Sequence, residues 1–295
     1  MHLFIRSRTA RLSTAAALLA SLIACSSNKG GSPTQPTSPT RTIYGAIGAS
    51  DAVGIGASVP CLPFVSCPDG TGYVPVLARK LTGAGQQVQT TNMGIPAAVL
   101  SPEIQDLGNK YGRTTPANFL QGALPFVPRD ATLVTVFAGG NDTNVIGAAA
   151  EGGEGGGDPV GFMDRQVTAF ARSYESLVRG IRDRAPGARI VVANLPNMAG
   201  LPYASGLSLP RRQGLQRISV GFTRDAVNAL AAQNVRVVDL MCDPRSYDPG
   251  NYSSDGFHPN DRGYAFMADA IFEAAMGGGA SPAPSCAQMT IVPSF

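Results

Sequence analysis

Five apolar, β-branched runs recur along the middle of this chain, at residues 42–47, 88–92, 132–137, 189–194 and 235–240. Several are apolar without clean alternation, the pattern expected of strands covered on both faces. Helical patterns lie between them. The clearest spans 162–184, where Val167, Phe170, Tyr174, Leu177, Val178 and Ile181 fall on one face and Pro186-Gly187 ends it. Residues 209–233 and 260–276 read as helices too. Strands alternating with helices predict an α/β domain with a central parallel sheet of about five strands and helices on both faces. Residues 42–276 are long enough for one such domain, and no internal repeat divides them. Sites in these sheets lie beyond the carboxyl ends of the strands. Function is therefore to be sought just after each strand.

The two ends of the chain are of different kinds. Residues 1–24 have the three parts of a secretory signal peptide: basic Arg6, Arg8 and Arg11, an apolar run from Ala15 to Ile23, and small residues before a cleavage point. The run is too short to span a bilayer. Leu22-Ile23-Ala24-Cys25 resembles the lipobox of bacterial lipoproteins, which implies cleavage before Cys25 and its lipidation. Residues 25–41 are rich in Ser, Pro and Thr and read as an extended tether. The expected location is the bacterial cell envelope, reached through a lipid anchor. By the same resemblance, Ser26 after the cysteine favours the outer membrane if the host is Gram-negative. Residues 277–295 read as an extended C-terminal tail.

Charge excludes one class of partner. Without the three leader arginines, the 23 basic residues become 20 and match the 20 acidic ones, so no basic excess points to nucleic acid. Of five cysteines, four remain after Cys25. An even number in an exported chain predicts two disulfides. Of the three pairings, Cys61–Cys67 with Cys242–Cys286 is the expected one. The second bridge would tie the tail to the domain and, on loop-closure entropy, stabilise by about 4 kcal/mol.

Acid–base chemistry narrows the search further. Outside the leader, which holds His2, the chain has one histidine, His258, three residues after Asp255. A lone imidazole excludes His-rich zinc or non-haem iron sites. Four short blocks follow strands or precede the last helix: Gly48-Ala49-Ser50-Asp51, Asn92-Met93-Gly94, Gly139-Gly140-Asn141-Asp142 and Asp255-Gly256-Phe257-His258-Pro259. Each alone has a bland reading, as a turn, a loop glycine, an Asx cap or a capping pair. Together, in this order, they offer a hydroxyl nucleophile, a base to activate it, a carboxylate to orient the base, and an amide donor.

These blocks resemble the SGNH hydrolases, the GDSL esterase/lipase family, over residues 43–272. The resemblance implies a three-layer, flavodoxin-like fold with no metal or organic cofactor. It implies Ser50 as nucleophile, His258 as general base and Asp255 as the residue that orients it. The oxyanion hole would comprise the Ser50 and Gly94 N–H groups and the Asn141 amide. Two departures stand out: Ala49 replaces the family's usual Asp before the serine while Asp51 follows it, and Ile95-Pro96-Ala97 follows Gly94. Asp142 is expected to hold its loop rather than to react. No G-x-S-x-G elbow occurs, and no phosphate-binding glycine motif stands in its required context.

The expected activity is hydrolysis of carboxylic esters through an acyl-enzyme on Ser50. The substrate is a lipid or small acyl ester; the alternatives are an acetylated glycan, or a catalytically silent surface lipoprotein that only binds. Three segments could shape a pocket. Residues 147–161, glycine-rich, read as a flexible loop, either a lid over the site or a surface loop; residues 60–68 flank Ser50; residues 198–209 follow the fourth strand.

Overall fold

The computed structural model describes residues 40–279 and 281–295; the leader, Cys25 and the tether as far as residue 39 lie outside them. Five strands form one parallel sheet: β1 Arg41–Gly48, β2 Gln87–Asn92, β3 Leu133–Phe137, β4 Arg189–Ala193 and β5 Arg236–Val238. Their order is β2-β1-β3-β4-β5. Among the described residues eight α-helices accompany them: α1 Ser50–Val53, α2 Tyr73–Gly83, α3 Pro102–Lys110, α4 Phe119–Gly122, α5 Gly140–Glu151, α6 Pro159–Arg184, α7 Leu209–Gly221 and α8 Asp261–Ala275. This is the expected α/β architecture.

Side chains alternate between two cores, as a pleated strand requires. On one face Ile47, Val134, Val136, Ile190, Val192 and Val237 meet helices α3 to α7. On the other, Tyr44, Ala46, Leu133, Val191 and Val238 meet α2 and α8. Tyr44 is fully buried and its hydroxyl bonds Thr135 Oγ1 at 2.9 Å across β1 and β3. The expected pattern of burial on both faces fails for β2, whose residues Gln87, Gln89 and Thr90 are exposed because it is an edge strand.

The order of the strands places the site. From β1 the chain goes to β2 on one side, and then to β3 on the other side of β1. The carboxyl ends of β1 and β3 thus flank the point where the winding reverses, where crevices open in such sheets. Ser50 follows β1, and Asn141 follows β3.

Three expectations are corrected. Residues 147–161 are no flexible loop: α5 runs through Gly147 to Glu151, short turns follow, and α6 begins at Pro159. Gly147 and Ala149 are buried as a packing surface of α5, while the glycine runs 152–153 and 155–157 lie in the largely exposed turns before α6. Second, the expected helix 209–233 is α-helical only to Gly221. It widens into a π-type stretch over Phe222–Val227 and tightens into a 3₁₀ stretch over Asn228–Gln233. The change of winding begins where Phe222 stacks on Phe170, ring centroids 3.6 Å apart. Third, the tail is docked beyond its cysteine. Val292 is buried, and both its N–H and its carbonyl bond the Gln216 amide, at 3.0 and 2.7 Å. The cysteines pair as expected, Cys61 with Cys67 and Cys242 with Cys286.

Candidate active site

Ser50 opens α1 directly beyond the carboxyl end of β1. Gly48, before it, is not among the residues with positive φ. Its missing side chain matters for space: a Cβ there would lie 2.9 Å from Ala52 Cβ. As the first residue of a helix, Ser50 has an N–H without an intrahelical acceptor. The residue is 6% exposed, and its side chain lines a cleft of about 640 Å³.

His258 meets it from the other end of the chain. Its Nε2 is 2.8 Å from Ser50 Oγ, and its Nδ1 is 2.6 Å from Asp255 Oδ2. A carboxylate can only accept, so Nδ1 carries the proton and Nε2 is left to accept from the serine hydroxyl. The Asp255 loop closes on itself. Oδ1 accepts from Ser253 Oγ at 2.8 Å, the Phe257 N–H at 2.8 Å and the His258 N–H at 2.9 Å, while the Ser253 N–H donates to the His258 carbonyl at 2.8 Å. Partial burial acts to raise the Asp255 pKa, but the bonds from the His258 ring, two backbone N–H groups and Ser253 bring it well below the usual carboxylate range. Gly256 makes this turn possible. Its φ is +67°, and a Cβ would stand 2.7 Å from the Tyr203 N.

The opposite wall comes from the ends of β2 and β3. Gly139, at φ +118°, turns β3 into α5 and puts Asn141 in that helix's first turn. One Nδ2–H of Asn141 donates to the Ala98 carbonyl at 2.9 Å, which fixes the amide and leaves its second N–H for the cleft. Gly94 differs from expectation. It is buried, it does not line the cleft, and its N–H already donates to Asn92 Oδ1 at 3.0 Å. Its lack of a side chain serves packing, since a Cβ would meet Val53 Cγ2 at 2.9 Å.

Ala97 faces the cleft instead. It has φ +61°, in a turn closed by the Ala98 N–H donating to the Ile95 carbonyl at 3.0 Å. Pro96 holds the second turn position and Ala97 the third, where positive φ belongs. The Ala97 N–H stands outside the turn's own bond and has no partner among the described residues. A sequence signal for it existed: Pro96 at a second turn position points to the residue after it as the one with inverted backbone.

Two further carboxyls flank the site. Asp142 is fully buried; its Oδ1 accepts from the Leu100 N–H at 2.9 Å, while Oδ2 has no partner among the described residues. It holds the loop, and burial pushes its pKa up to about 7 against the pull of the Leu100 and Asp142 N–H groups. Asp51 lies half-buried at a second, smaller cavity of about 50 Å³, lined also by Leu195, Met198, Phe257 and Met267. Burial raises its carboxyl above the ordinary range, opposed by the nearby His258.

The remaining walls of the main cleft are Ile55, Pro96, Asn144, Tyr203, Leu207, Arg211, Arg113 and Phe257. Tyr203 and Leu207 belong to the expected segment after β4. Residues 60–68 do not line it. Their disulfide sits at a separate depression between α2 and β2, and their N–H groups bond elsewhere, Cys61 to the Val53 carbonyl at 2.7 Å and Phe64 to the Asn92 carbonyl at 2.8 Å.

A parallel sheet of this order carries, beyond its strand ends, a hydroxyl, an imidazole and a carboxylate in one hydrogen-bonded series. Comparison with known proteins gives the family: a profile of the GDSL-like lipase/acylhydrolase family matches residues 46–266, and the chain belongs to that family. Among solved structures it is similar to the lipase Lip_vut3 from a goat rumen metagenome, at 19% identity and a TM-score of 0.54, covering 79% of this chain and 97% of that one. It is also similar to Axe2, an acetylxylan esterase from Geobacillus stearothermophilus, at 14% identity and a TM-score of 0.51, covering 84% and 99%. At these identities the likeness is one of fold. No curated protein matches the sequence.

Proposed function

We propose that this protein hydrolyses carboxylic esters through an acyl-enzyme on Ser50. The observation that carries the reading is the unbroken relay Ser50 Oγ, His258 Nε2, His258 Nδ1, Asp255 Oδ2, at 2.8 and 2.6 Å. Ser50 Oγ attacks the ester carbonyl carbon as its proton passes to Nε2. Asp255 stabilises the resulting imidazolium. The oxyanion takes hydrogen bonds from the Ser50 N–H, the free Asn141 Nδ2–H and the Ala97 N–H, which assumes the part expected of Gly94. The imidazolium returns its proton to the leaving alcohol, and water then releases the acid by the same route.

The cleft supports a lipid or small acyl ester over an acetylated glycan: Ile55, Pro96, Ala97, Leu207 and Phe257 present an apolar wall next to Ser50. A polysaccharide groove would call for polar side chains there. Initial rates on p-nitrophenyl esters from acetyl to palmitoyl test this, with Ser50→Ala and His258→Ala as controls. Rates that rise beyond acetyl and vanish in both folded variants are expected; full activity in either variant overturns the mechanism, and an acetyl-only profile overturns the substrate class.

We propose further, from the leader alone, that the protein is exported to the bacterial cell envelope and anchored through lipid on Cys25. Cys25→Ser is expected to move it from the membrane fraction to the soluble one; unchanged fractionation would refute the anchor.

A further inference from the structure

The main cleft ends in two arginines for which ester hydrolysis alone has no use. Arg211, in the first turn of α7, has a side chain only 11% exposed. It passes under α5 where Gly147 makes room, since a Cβ there would lie 2.6 Å from its Nη1. Its Nη2 donates to the Asn144 carbonyl at 3.3 Å. Glu151 Oε2 stands 3.1 Å from Nη1 as an ion pair, yet off the N–H direction, so Nη1 is buried without a hydrogen bond among the described residues. Arg113 sits exposed at the rim of the same cleft and, among the described residues, has no acidic partner. Contact with protein on one side and the Arg211 charge beside it lower its pKa, Tyr203 opposing. Leu207 and Arg211 bracket the start of α7 and both line the cleft, so the positive end of that helix adds to the field. Two guanidinium groups are thus kept together beside an apolar wall with one carboxylate near them.

We infer that this end of the cleft binds an oxyanion group of the ester substrate, a carboxylate or a phosphate, with Arg113 and Arg211 as its partners. The inference rests on the esterase reading above. Planar guanidinium groups suit both anions. Asn144, whose carbonyl holds Arg211, is one turn along α5 from Asn141, so one helix positions both the amide donor and the guanidinium.

The test compares charged and neutral esters of like length. On the acyl side, mono-p-nitrophenyl glutarate is set against p-nitrophenyl butyrate; on the alcohol side, butyryl glycerol 3-phosphate against monobutyrin. In the wild type the charged ester of at least one pair should have a kcat/KM about tenfold or more above its neutral partner, a preference that shrinks with added salt. Arg113→Gln should bring the ratio near one, and Arg113→Lys should restore part of it. The pair that responds tells whether the anion belongs to the acid or to the alcohol. A wild-type ratio near one in both pairs, or a preference untouched by Arg113→Gln, overturns the proposal. If no ester shows Ser50-dependent turnover, the esterase reading falls separately. Calorimetry of glutarate and glycerol 3-phosphate with the Ser50→Ala protein then decides: saturable binding lost on Arg113→Gln upholds the anion site, and no binding removes it.

Discussion

Asp255 and His258 are held by bonds among residues 253–259, at most a few positions apart, and Ser254 and Asp255 in that loop are exposed to solvent. The oxyanion wall is held by residues far apart in the chain. Asn141 reaches Ala98, Asp142 reaches Leu100, and Gly94 packs on Val53, all in or against buried backbone. One side of the cleft is a short motif that carries its own geometry; the other exists only once three strand ends are assembled. Damage to the first should therefore appear in turnover with little change in stability, and damage to the second in both.

The largest expected effect sharpens that contrast. Asp255→Asn keeps the loop's shape but presents an amide to Nδ1, which favours the wrong tautomer. It should lower kcat by about 10³–10⁴-fold with a melting temperature close to wild type. A drop below tenfold would mean that His258 is not oriented by this residue. Asn141→Ala should lower kcat by about 10²–10³-fold, with KM less affected, because it removes an interaction made in the transition state. It should also reduce stability, since the Ala98 carbonyl loses its donor; a purely catalytic loss would break the comparison.

Gly94→Ala separates packing from chemistry. Its Cβ would collide with Val53 and the Ala52 methyl, at 2.9 and 3.0 Å, so a loss of about 1–3 kcal/mol in urea unfolding is expected. If instead stability holds and kcat alone falls, the Gly94 N–H is the oxyanion donor after all. Asp142 makes the buried wall sensitive to pH. Its folded pKa of about 7 lies above the unfolded value near 4, so between them the folded state holds a proton that the unfolded state lacks. Stability from this group is fully present near pH 4 and lost as pH rises towards 7, at up to about 1.4 kcal/mol per pH unit. Asp142→Asn removes that slope. Wild type and variant compared by urea unfolding at pH 5 and pH 8 should differ in the variant's favour at the higher pH; parallel profiles would show that Asp142 ionises freely. The smallest effect is Ala97→Gly, which relieves a positive φ and should stabilise by up to about 1 kcal/mol with turnover retained.

Much of this was legible in the sequence, and unevenly. The five strands lie within a residue or two of their apolar runs, because burial on a sheet writes itself into local composition. The exception is β2, a polar edge strand recognisable only by its β-branched residues. α6 declared itself through its apolar face, whereas α5 did not. Its buried Gly147 and Ala149 have no apolar stripe, since they are small so that Arg211 and neighbouring helices can come close. The Asp255–His258 pair was readable for the reason given above: three residues on a turn meet whatever surrounds them.

The sequence by itself determined the class of fold, through local pattern, and singled out His258 with Asp255 as the acid–base candidates, because only one histidine lies outside the leader. It left three pairings of the four cysteines, of which the structure holds Cys61–Cys67 and Cys242–Cys286. Tertiary structure alone decided which N–H opens on the cleft, what lines the cleft and where its charge lies. Gly94 and Ala97 are three residues apart, and which of them opens on the cleft depends on Asn92 and Val53, not on their own side chains. Arg113 and Arg211 are nearly a hundred positions apart and share a cleft because α3, which the Arg113 loop follows, and α7 both pack on α5. Sequence fixes what each residue can do; only packing brings distant residues within reach of one substrate.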